Sequence, residues 1–512
     1  MRKAILLVLL CAMPLAAQNN SIDVLHYRIE LELREKDVAA ATELTIRPVA
    51  APLEMLLLDF GELTIDSVTV DGEAATHERR EKQLAIRVNR TNTEPFRVVI
   101  RYHGTPTDGL LLRENKYGDP SVFADNWPDR ARLWIPSVDH PSDKATVDFI
   151  VTAPENFGVI ANGALVQSTP LEGGNKRTHW RETTPIPVYT MVIGAAEFAV
   201  VNAGAAYGTN VEYWLYPRDA ELGRQFGRVP RMVAFYSSLV GQYPYEKLAL
   251  VQSSTRFGGM ENASAIFLDE KRINGEASLE GLVAHEIAHQ WFGDSVTQRE
   301  WHDIWLSEGF ATYFGNLFFE HADGRDVFLR RMRTDRDEYF KSQRRNAYAI
   351  HEPKITEPRE LLSSITYDKA AWVLHMLRGV MGDRAFFATV RDYYNAYRDR
   401  NASTGELRVI AERHHGQPLD WFFRQWIYEP GHPQLATKWT WRDGKVTFGV
   451  EQKQSGTVYR IPTTIEVRNG NVARRETVLI DERTENFEIA ADRKPDAVTL
   501  DPEEWVLRET AQ

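Results

Sequence analysis

Apolar and polar side chains alternate along the first two hundred residues of the chain. In residues 27–33 every second position is aromatic or aliphatic, and the positions between them are Arg or Glu. Residues 96–102 repeat the period of two, which is typical of a strand with one buried face. Asp71 and Gly72 stand between apolar runs and predict a hairpin turn. We therefore predict an all-β region from residue 21 to about residue 200.

The spacing of apolar residues becomes helical from about residue 211 to residue 433. One stripe follows the i, i+3, i+4, i+7 rule across residues 370–377, and a second occupies residues 386–394. Gly382 and Gly416 follow helical stretches and predict helix ends. The middle of the chain is therefore predicted to be rich in α-helix.

Short strand patterns return after Pro433. Residues 461–467 and 478–480 are β-rich and flank Asn469 and Gly470, a pair that predicts a hairpin with a type I′ turn. Fewer than about 80 residues remain here, which is enough for a small β-sandwich.

The first residues have the pattern of a secretory leader. Arg2 and Lys3 precede an apolar stretch that is too short for a transmembrane helix, and Ala16 and Ala17 stand before a polar run. We predict a signal peptide at residues 1–17 and a secreted or periplasmic protein. A lipoprotein site at Cys11 is an alternative, although the residues before it are larger than such a site requires.

Cysteine usage and charge narrow the possible chemistry. The only cysteine, Cys11, lies in the predicted leader, so disulfides, thiol catalysis and thiolate metal sites are excluded from the exported chain, which favours a bacterial source. The net charge of −11 argues against nucleic acid or an anionic membrane as the main partner. No later stretch reaches about 18 consecutive apolar residues, so we expect no membrane span after leader removal.

His285, Glu286 and His289 form an HExxH motif. Residues four apart project from one face of a helix, so both imidazoles can bind one metal ion. Glu286 points in a neighbouring direction and can reach a metal-activated water without being a ligand. Ser278 is a predicted N-cap and Gly293 a predicted end of this helix.

Glu308 follows His289 after 18 intervening residues, in a second stretch with one apolar face. Two imidazoles and one carboxylate leave a fourth position open, which is the ligand set of a catalytic zinc site. The alternative for Glu308 is a solvated surface carboxylate. We therefore predict one Zn²⁺ bound by His285, His289 and Glu308. Glu286 would act as the general base in the hydrolysis of an amide.

A Phe-Gly-Gly-Met-Glu-Asn sequence at residues 257–262 precedes the zinc motif. With the HExxH motif and Glu308, it resembles the aminopeptidase N family of zinc metallopeptidases, which includes leukotriene hydrolase-type enzymes. Residues 132–144 look like a segment of the family's first domain, and residues 426–433 look like the end of its catalytic domain. The resemblance thus covers nearly the whole chain.

The resemblance implies an α+β, multidomain fold. It comprises an N-terminal β domain at residues 18–205, a thermolysin-like, α-rich zinc catalytic domain at residues 206–433 and a small C-terminal β-sandwich domain at residues 434–512. Many relatives continue beyond that point into a long helical domain.

The resemblance also implies roles in substrate binding. Glu261 would bind the free α-ammonium group of a peptide, and a carboxylate beside the metal is suited to that pairing. Gly258 and Gly259 would run extended beside the peptide, although a flexible turn is the simpler interpretation of two glycines. Met260 would help to shape the pocket for the first residue, and Asn262 would support the site.

Tyr367 matches the family's transition-state tyrosine. Its phenol would donate a hydrogen bond to the developing oxyanion. The alternative is a packing tyrosine at the start of a helix.

The chain departs from the family at two positions. Trp127 stands where the family usually has a Gln or Glu as a second contact for the amine, and Asp125 or Asn126 could replace that contact. Gly259 stands where the family more often has Ala.

The sequence therefore predicts a zinc aminopeptidase acting on peptides with a free N-terminus. An endopeptidase is the nearest alternative, but Glu261 would block subsites beyond the first residue. An epoxide hydrolase of the leukotriene type and a non-catalytic peptide-binding module are further alternatives; the module would be expected to have lost a metal ligand, Glu286 or Tyr367. The preferred first residue and the oligomeric state are left open.

Overall fold

The computed structural model describes residues 21–276, 279–344 and 347–511. The predicted leader with Cys11 and the predicted N-cap Ser278 lie outside these ranges. The order of a β-rich, a helical and a second β-rich region is as predicted, and the α+β multidomain class is confirmed. Among the described residues, no helix has the length and apolar character needed to cross a membrane.

An eight-stranded sheet forms the centre of the first region, in the order β13-β14-β11-β1-β2-β8-β4-β5. Tyr27, Ile29 and Leu31 on β1 are buried, as the period of two predicts. Two further sheets have the orders β12-β15-β10-β9 and β3-β7-β6. The strands are β1 (Ile22–Leu33), β2 (Val38–Pro48), β3 (Leu53–Asp59), β4 (Thr64–Val70), β5 (Glu73–Ala74), β6 (His77–Arg80), β7 (Gln83–Arg90), β8 (Phe96–Gly104), β9 (Leu110–Glu114), β10 (Pro120–Ala124), β11 (Lys144–Pro154), β12 (Gly158–Ala161), β13 (Ala164–Pro170), β14 (Asn175–Pro187) and β15 (Ile193–Ala196).

The predicted hairpin turn joins β4 to β5. Val70 pairs with Glu73, so Asp71 and Gly72 are its two central residues. Both have positive φ, 50° and 89°, as a type I′ turn requires.

A five-stranded sheet in the order β16-β17-β18-β20-β19 opens the middle region. Its first strand spans the predicted domain boundary between residues 205 and 206, and β19 lies at its edge. Its strands are β16 (Ala199–Ala206), β17 (Thr209–Leu215), β18 (Lys247–Ser253), β19 (Gly259–Met260) and β20 (Ala265–Asp269); β21 (Val296–Gln298) and β22 (Arg400–Ala402) form a separate pair.

The helices of the middle region pack beside this sheet. Gly309 allows close packing between two of them, because a Cβ there would lie 2.5 Å from Cβ of Ala370. Gly382 and Gly416 end helices as predicted, with φ of 76° and 78°. The helices are α1 (Val229–Leu239), α2 (Leu279–His289), α3 (Trp305–Asp323), α4 (Arg325–Gln343), α5 (Pro358–Leu361), α6 (Ala370–Met381), α7 (Asp383–Tyr397), α8 (Thr404–His415) and α9 (Asp420–Phe423).

The last region consists of two sheets, ordered β27-β24-β23-β29 and β26-β25-β28. Trp505 stacks on His375 of α6 with 4.5 Å between ring centroids and so joins this region to the helices. The strands are β23 (Gln434–Arg442), β24 (Lys445–Gln452), β25 (Ile461–Asn469), β26 (Val472–Ile480), β27 (Thr484–Ala490), β28 (Ala497–Leu500) and β29 (Glu509–Thr510).

The predicted hairpin is present between β25 and β26, but the prediction of its turn is wrong. Asn469 pairs with Val472, so the central residues are Gly470 and Asn471. Of these, only Gly470 has positive φ, at 57°. A type I′ turn needs positive φ at both positions, whereas glycine at the first position alone is typical of type II′. The pairing of β25 with β26 therefore places the turn one residue later in the chain than predicted.

Candidate active site

The two imidazoles of the HExxH motif meet Glu308 at the centre of the middle region. His285 and His289 lie on α2, and their Nε2 atoms are 2.9 Å apart. Glu308 lies on α3, and its Oε2 is 3.3 Å from the Nε2 of His285 and 3.2 Å from that of His289. The sequence prediction that these three side chains converge is therefore in agreement with their positions.

The far side of each imidazole contacts an oxygen atom. The Nδ1 of His289 lies 3.1 Å from the carbonyl oxygen of Phe292 and 3.0 Å from Oγ of Ser307. A carbonyl oxygen only accepts, so Nδ1 carries a proton and donates it, and Nε2 is the nitrogen that would bind a metal after losing its own proton. The Nδ1 of His285 lies 3.4 Å from Oγ1 of Thr312. Such outer contacts fix the orientation of metal-binding imidazoles.

Burial and mutual charge determine the protonation of the cluster. Burial alone would raise the pKa of Glu308, but His289 and His285 outweigh it and lower that pKa to about 2. Burial would lower the pKa of His289, yet the carboxylates around it raise it to about 10. In the absence of a metal the cluster therefore holds a proton on His289, and a bound cation would replace that positive charge.

The donor set fits a divalent metal ion. Among the described residues, His285, His289 and Glu308 offer ligand atoms that all lie within 4.8 Å of one another. Oε2 of Glu308 is buried and has no hydrogen-bond partner in the described part of the chain. Its ion-pair partners are the two imidazoles, and a metal ion bound between the three side chains would stabilise this buried carboxylate.

Glu286 lies beside the cluster and is buried. Burial raises its pKa well above the usual value, and the neighbouring Glu261 and Glu308 raise it further, against the opposing effect of His289. A carboxyl group with a raised pKa holds a transferred proton well, which is what a general base needs.

The Gly258–Asn262 sequence contains the short edge strand β19 and lies beside the cluster. Gly259 and Met260 pair with Leu268 and Phe267 of β20, and the carbonyl oxygen of Gly258 accepts a hydrogen bond from the backbone N–H of Asp269 at 3.1 Å. Because β19 is the edge strand of its sheet, its other side is open to an extended peptide.

Glu261 follows this edge strand and is buried. Glu261, Glu286 and His289 form a second group of possible metal ligands, since one oxygen or nitrogen of each lies within 4.8 Å of the others. The carbonyl oxygen of Glu261 accepts a hydrogen bond from Nε2 of Gln290 at 2.5 Å, which ties the segment to the end of α2. Burial raises the pKa of Glu261, and His289 opposes that rise.

Asn262 and Asp294 lie behind the cleft. The carbonyl oxygen of Asn262 accepts a hydrogen bond from the backbone N–H of Ala265 at 2.9 Å, which closes the turn into β20. The carboxylate of Asp294 accepts a hydrogen bond from Gln290 at 2.8 Å. Gln290 therefore connects Asp294 to the backbone of Glu261. Asn262 and Asp294 thus support the site from behind.

Tyr367 reaches the cluster from a π-helical turn at Ile365–Lys369, which leads directly into α6. Its ring stacks on that of His285 with 5.8 Å between centroids and 12° between planes. Burial raises the pKa of Tyr367 well above the usual value, and Glu308 raises it further. The phenol therefore stays protonated and is able to donate a hydrogen bond into the cleft.

Trp127 lies in the wall of the cleft. Its ring meets those of Phe257 and Trp301 edge to face, with centroids 5.8 and 5.6 Å apart. Met260 belongs to the same apolar cluster. The first region of the fold thus contributes an aromatic surface beside the metal cluster.

The two alternatives for a second amine contact are engaged elsewhere. Asp125 is buried and forms an ion pair with Arg130 at 2.5 Å. The side chain of Asn126 donates to the carbonyl oxygen of Met191 at 2.6 Å and accepts a hydrogen bond from Trp134 at 2.8 Å. Neither residue lines the cleft, so neither of these two expected replacements is realised.

The cleft has a volume of about 220 Å³ and includes residues that the sequence reasoning missed. Leu282 precedes His285 by three residues and shares its helix face, so the helical period could have identified it. Arg272 follows β20, and nothing in the local pattern marked it. The lining is formed by Trp127, Phe257, Gly258, Gly259, Met260, Glu261, Arg272, Leu282, His285, Glu286, His289, Glu308, Leu362 and Tyr367.

Two sequence models of one peptidase family match the chain. The Peptidase M1 N-terminal domain matches residues 23–190, and the Peptidase family M1 domain matches residues 225–426. Together they include every metal donor and the residues of the cleft.

Several curated proteins are similar over most of the chain. Probable aminopeptidase 2 of Sulfurisphaera tokodaii is 26% identical over 87% of this chain, and Tricorn protease-interacting factor F2 of Thermoplasma acidophilum is also 26% identical over 87%. The chain spans 59% of the length of each. Leukotriene A-4 hydrolase of Xenopus laevis is 25% identical over 84% of this chain, which spans 75% of that protein.

A crystal structure of Legionella pneumophila aminopeptidase A in complex with aspartic acid has a similar fold. It superposes with a TM-score of 0.83 at 17% identity, covering 96% of this chain and 60% of the other. This likeness supports the arrangement of the three regions.

Proposed function

Because the chain belongs to peptidase family M1, we propose that it is a zinc-dependent aminopeptidase, an enzyme that hydrolyses the N-terminal peptide bond of peptides. The observation that carries the proposal is the buried carboxylate of Glu261, which lies at the end of the open edge strand β19 and beside the metal donors. A buried carboxylate in that place pairs with a charged N-terminus and fixes the cut after the first residue.

His285, His289 and Glu308 would hold the zinc ion. Two imidazole nitrogens and one carboxylate are the donor set of catalytic zinc sites, which keep a position open for water or substrate. When bound, zinc supplies a Lewis acid that polarises a carbonyl group and makes water more acidic.

Glu286 would act as the proton carrier. It lies on the same helix as the two histidines and faces Gly259, since a Cβ on Gly259 would lie 2.3 Å from its Oε1. It would accept the proton of the attacking water and pass it to the leaving amine. Tyr367 would donate its phenol proton in a hydrogen bond to the oxygen that gains charge as the carbonyl is attacked.

The wall around the position of the first substrate residue is apolar. Trp127, Met260, Phe257 and Leu362 all line the cleft. Apolar side chains gain about 25 cal/mol for each Å² that they bury there. We therefore expect a preference for a large apolar first residue over an acidic one.

Arylamides of single amino acids test the proposal. The purified protein is assayed with leucyl-arylamide and its N-acetylated twin, with and without a chelator. We expect chelator-sensitive cleavage of the free amine only, restored by added zinc. Equal cleavage of the acetylated twin would mean that Glu261 does not bind the amine and that the enzyme is an endopeptidase.

The Glu261→Gln variant tests the residue that carries the proposal. Loss of the charge pair should lower kcat/KM for the free amine by about 10²-fold or more, because truncating one partner of a buried charge pair costs about 2–5 kcal/mol. Zinc content, measured on the same sample, should stay at the wild-type level. Lost zinc would instead make Glu261 part of the metal site.

Export is a separate proposal. The pattern of residues 1–17 supports cleavage near Ala17 and a secreted or periplasmic location. N-terminal sequencing of the protein purified from a bacterial periplasm checks it. A start at Met1 would refute it.

A further inference from the structure

Arg272 lies at the other end of the peptide-binding edge from Glu261. It follows β20 and lines the same cleft as the metal donors. A Cβ on Gly258 would lie 2.6 Å from Nε and 2.9 Å from Cζ of Arg272. The guanidinium group therefore lies directly against the backbone at the start of the edge strand.

In the described part of the chain, the guanidinium of Arg272 has no hydrogen bond or ion pair. Within residues 21–276, 279–344 and 347–511, no carboxylate forms an ion pair with Arg272; its hydrogen bond is made by the backbone N–H to the carbonyl oxygen of Asp269, at 2.9 Å. Arg256, just before the same segment, is different, because two hydrogen bonds of 2.8 and 2.7 Å hold it to Asp108. Among the described residues, Arg272 is thus an unpaired cation on the wall of the cleft.

The direction of a bound peptide follows from Glu261 and Glu286. With its amine at Glu261, the peptide crosses Glu286, which lies against Gly259, and leaves past Gly258. Gly258 and Glu261 flank the strand β19 and are three residues apart, which corresponds to at most about 10 Å at roughly 3.3 Å per residue. A tripeptide spans about the same length.

We propose that Arg272 binds a substrate carboxylate located two or three residues from the N-terminus, so that the cleft favours short peptides with a free C-terminus. This inference rests on the proposed aminopeptidase activity and deepens it. The guanidinium presents a planar fork of donors that matches a carboxylate with two parallel hydrogen bonds. A free α-carboxylate of a di- or tripeptide and an acidic third side chain in a longer peptide share this chemistry.

Three tripeptides distinguish these sources. Leu-Gly-Gly as the free acid, Leu-Gly-Gly amide and Leu-Gly-Asp amide are compared with leucyl-arylamide, which has no carboxylate. We expect kcat/KM for the free acid to exceed that for its amide by about 10-fold, which corresponds to about 1.4 kcal/mol. The Arg272→Gln variant should abolish this preference, and Arg272→Lys should retain part of it.

Lys271→Gln is the matched control. It removes one positive charge from the neighbouring exposed residue, which does not line the cleft. It should leave both the preference and leucyl-arylamide cleavage intact. In Arg272→Gln the readout is the ratio of kcat/KM for the free acid to that for its amide, which a general loss of activity would leave unchanged. If Leu-Gly-Gly acid and Leu-Gly-Asp amide are both preferred over Leu-Gly-Gly amide, Arg272 binds a carboxylate of either source. If only the free acid is preferred, Arg272 binds the C-terminal carboxylate.

Two results would overturn the inference in different ways. If leucyl-arylamide is cleaved but the acid and amide tripeptides are equivalent, or if Arg272→Gln keeps the preference, Arg272 does not bind the carboxylate. If wild-type protein with zinc cleaves no arylamide and no tripeptide, the aminopeptidase proposal itself fails and this inference fails with it.

Discussion

Tyr367 owes its place beside the metal donors to a local irregularity of the helix. The π-helical turn at Ile365–Lys369 adds a residue to the turn that precedes α6, and π-turns occur frequently at functional sites. The ring lies parallel to that of His285, and burial keeps its hydroxyl protonated by raising its pKa. A protonated phenol fixed in this way can stabilise charge that forms only during the reaction.

The variant Tyr367→Phe should lower kcat by about 10²-fold and leave KM nearly unchanged. The reason is that the lost hydrogen bond strengthens only as the oxyanion forms, so ground-state binding does not depend on it. Steady-state kinetics with leucyl-arylamide measures both constants. Tyr397→Phe, on α7 outside the cleft, is the control, and an unaltered kcat in Tyr367→Phe would exclude this role.

Single residues differ in how far the sequence alone could assign them. His285, His289 and Glu308 were assignable because helical spacing and a short link determine where their side chains point. Asp125 and Asn126 were not, because their side chains are used by Arg130, Met191 and Trp134, and such tertiary partners leave no local pattern. The convergence of these three side chains was therefore predictable, and the wall around them was not.

The edge strand β19 lies between two functional groups of opposite charge. Gly259 faces the carboxylate of Glu286, whereas Gly258 faces the guanidinium of Arg272. Each glycine leaves the space of one Cβ for the neighbouring charged group. Gly259 therefore leaves room for the proposed proton carrier Glu286, and Gly258 leaves room for the proposed carboxylate-binding residue Arg272.

Gly259→Val should lower kcat by about 10-fold or more, because a Cβ would lie 2.3 Å from Oε1 of Glu286 and a branched side chain would displace that carboxylate. Gly259→Ala, which introduces the residue more frequent in the family, should be tolerated because the end of the Glu286 side chain can move. Gly258→Ala should weaken the preference for the free tripeptide acid. Kinetics of the three variants with both substrates separates these effects, and equal kcat values for Gly259→Val and wild type would contradict the first expectation.

Periodicity predicted elements better than it predicted their pairing. Strands β1 and β8 and helices α6 and α7 follow directly from periods of two and 3.6, since burial of one face determines them. The turn between β25 and β26 was misplaced by one residue, because its position depends on which residues pair across the hairpin. Pairing also decides the place of strand β16. It belongs to the sheet of the middle region because its partners are Trp214 and its neighbours on β17.

At the scale of the whole molecule, the first region holds the loops of the active site in place. Lys144 on β11 donates hydrogen bonds to the carbonyl oxygens of Asp294 and Ser295, at 2.8 and 2.7 Å, just after the metal-binding helix. Asn162 donates to the carbonyl oxygen of Ala263 at 2.6 Å, beside the edge strand. Both contacts cross between regions, so the geometry of the cleft depends on their association.

Lys144→Met tests this association through its dependence on pH. Burial lowers the pKa of Lys144 to about 7, against the opposing effects of Asp399 and Asp294. The unfolded lysine, with a pKa of about 10.4, binds more protons than the folded one above pH 7, so this group makes the folded state more stable as pH rises towards 10. The difference in Tm between wild type and Lys144→Met should therefore widen between pH 7 and pH 9.

The widening should be a few °C. One bound proton over two pH units changes the free energy of unfolding by at most about 2.7 kcal/mol, and about 1 kcal/mol shifts Tm by about 2–4 °C in domains of this size. Thermal denaturation at both pH values measures it. Lys438→Met, at an exposed position, is the control and should show a constant difference, whereas a constant difference for Lys144→Met would refute the assignment.

The short open edge at β19 has a consequence for how such a protein would use its substrates. Its hydrogen-bonding groups face the backbone that all peptides share, and the charges at its two ends match the termini that every short peptide carries. Removal of one amino acid leaves a shorter peptide with both termini intact. Each product would therefore be able to bind as the next substrate, so a short peptide would be shortened stepwise, and fastest where each newly exposed first residue is large and apolar.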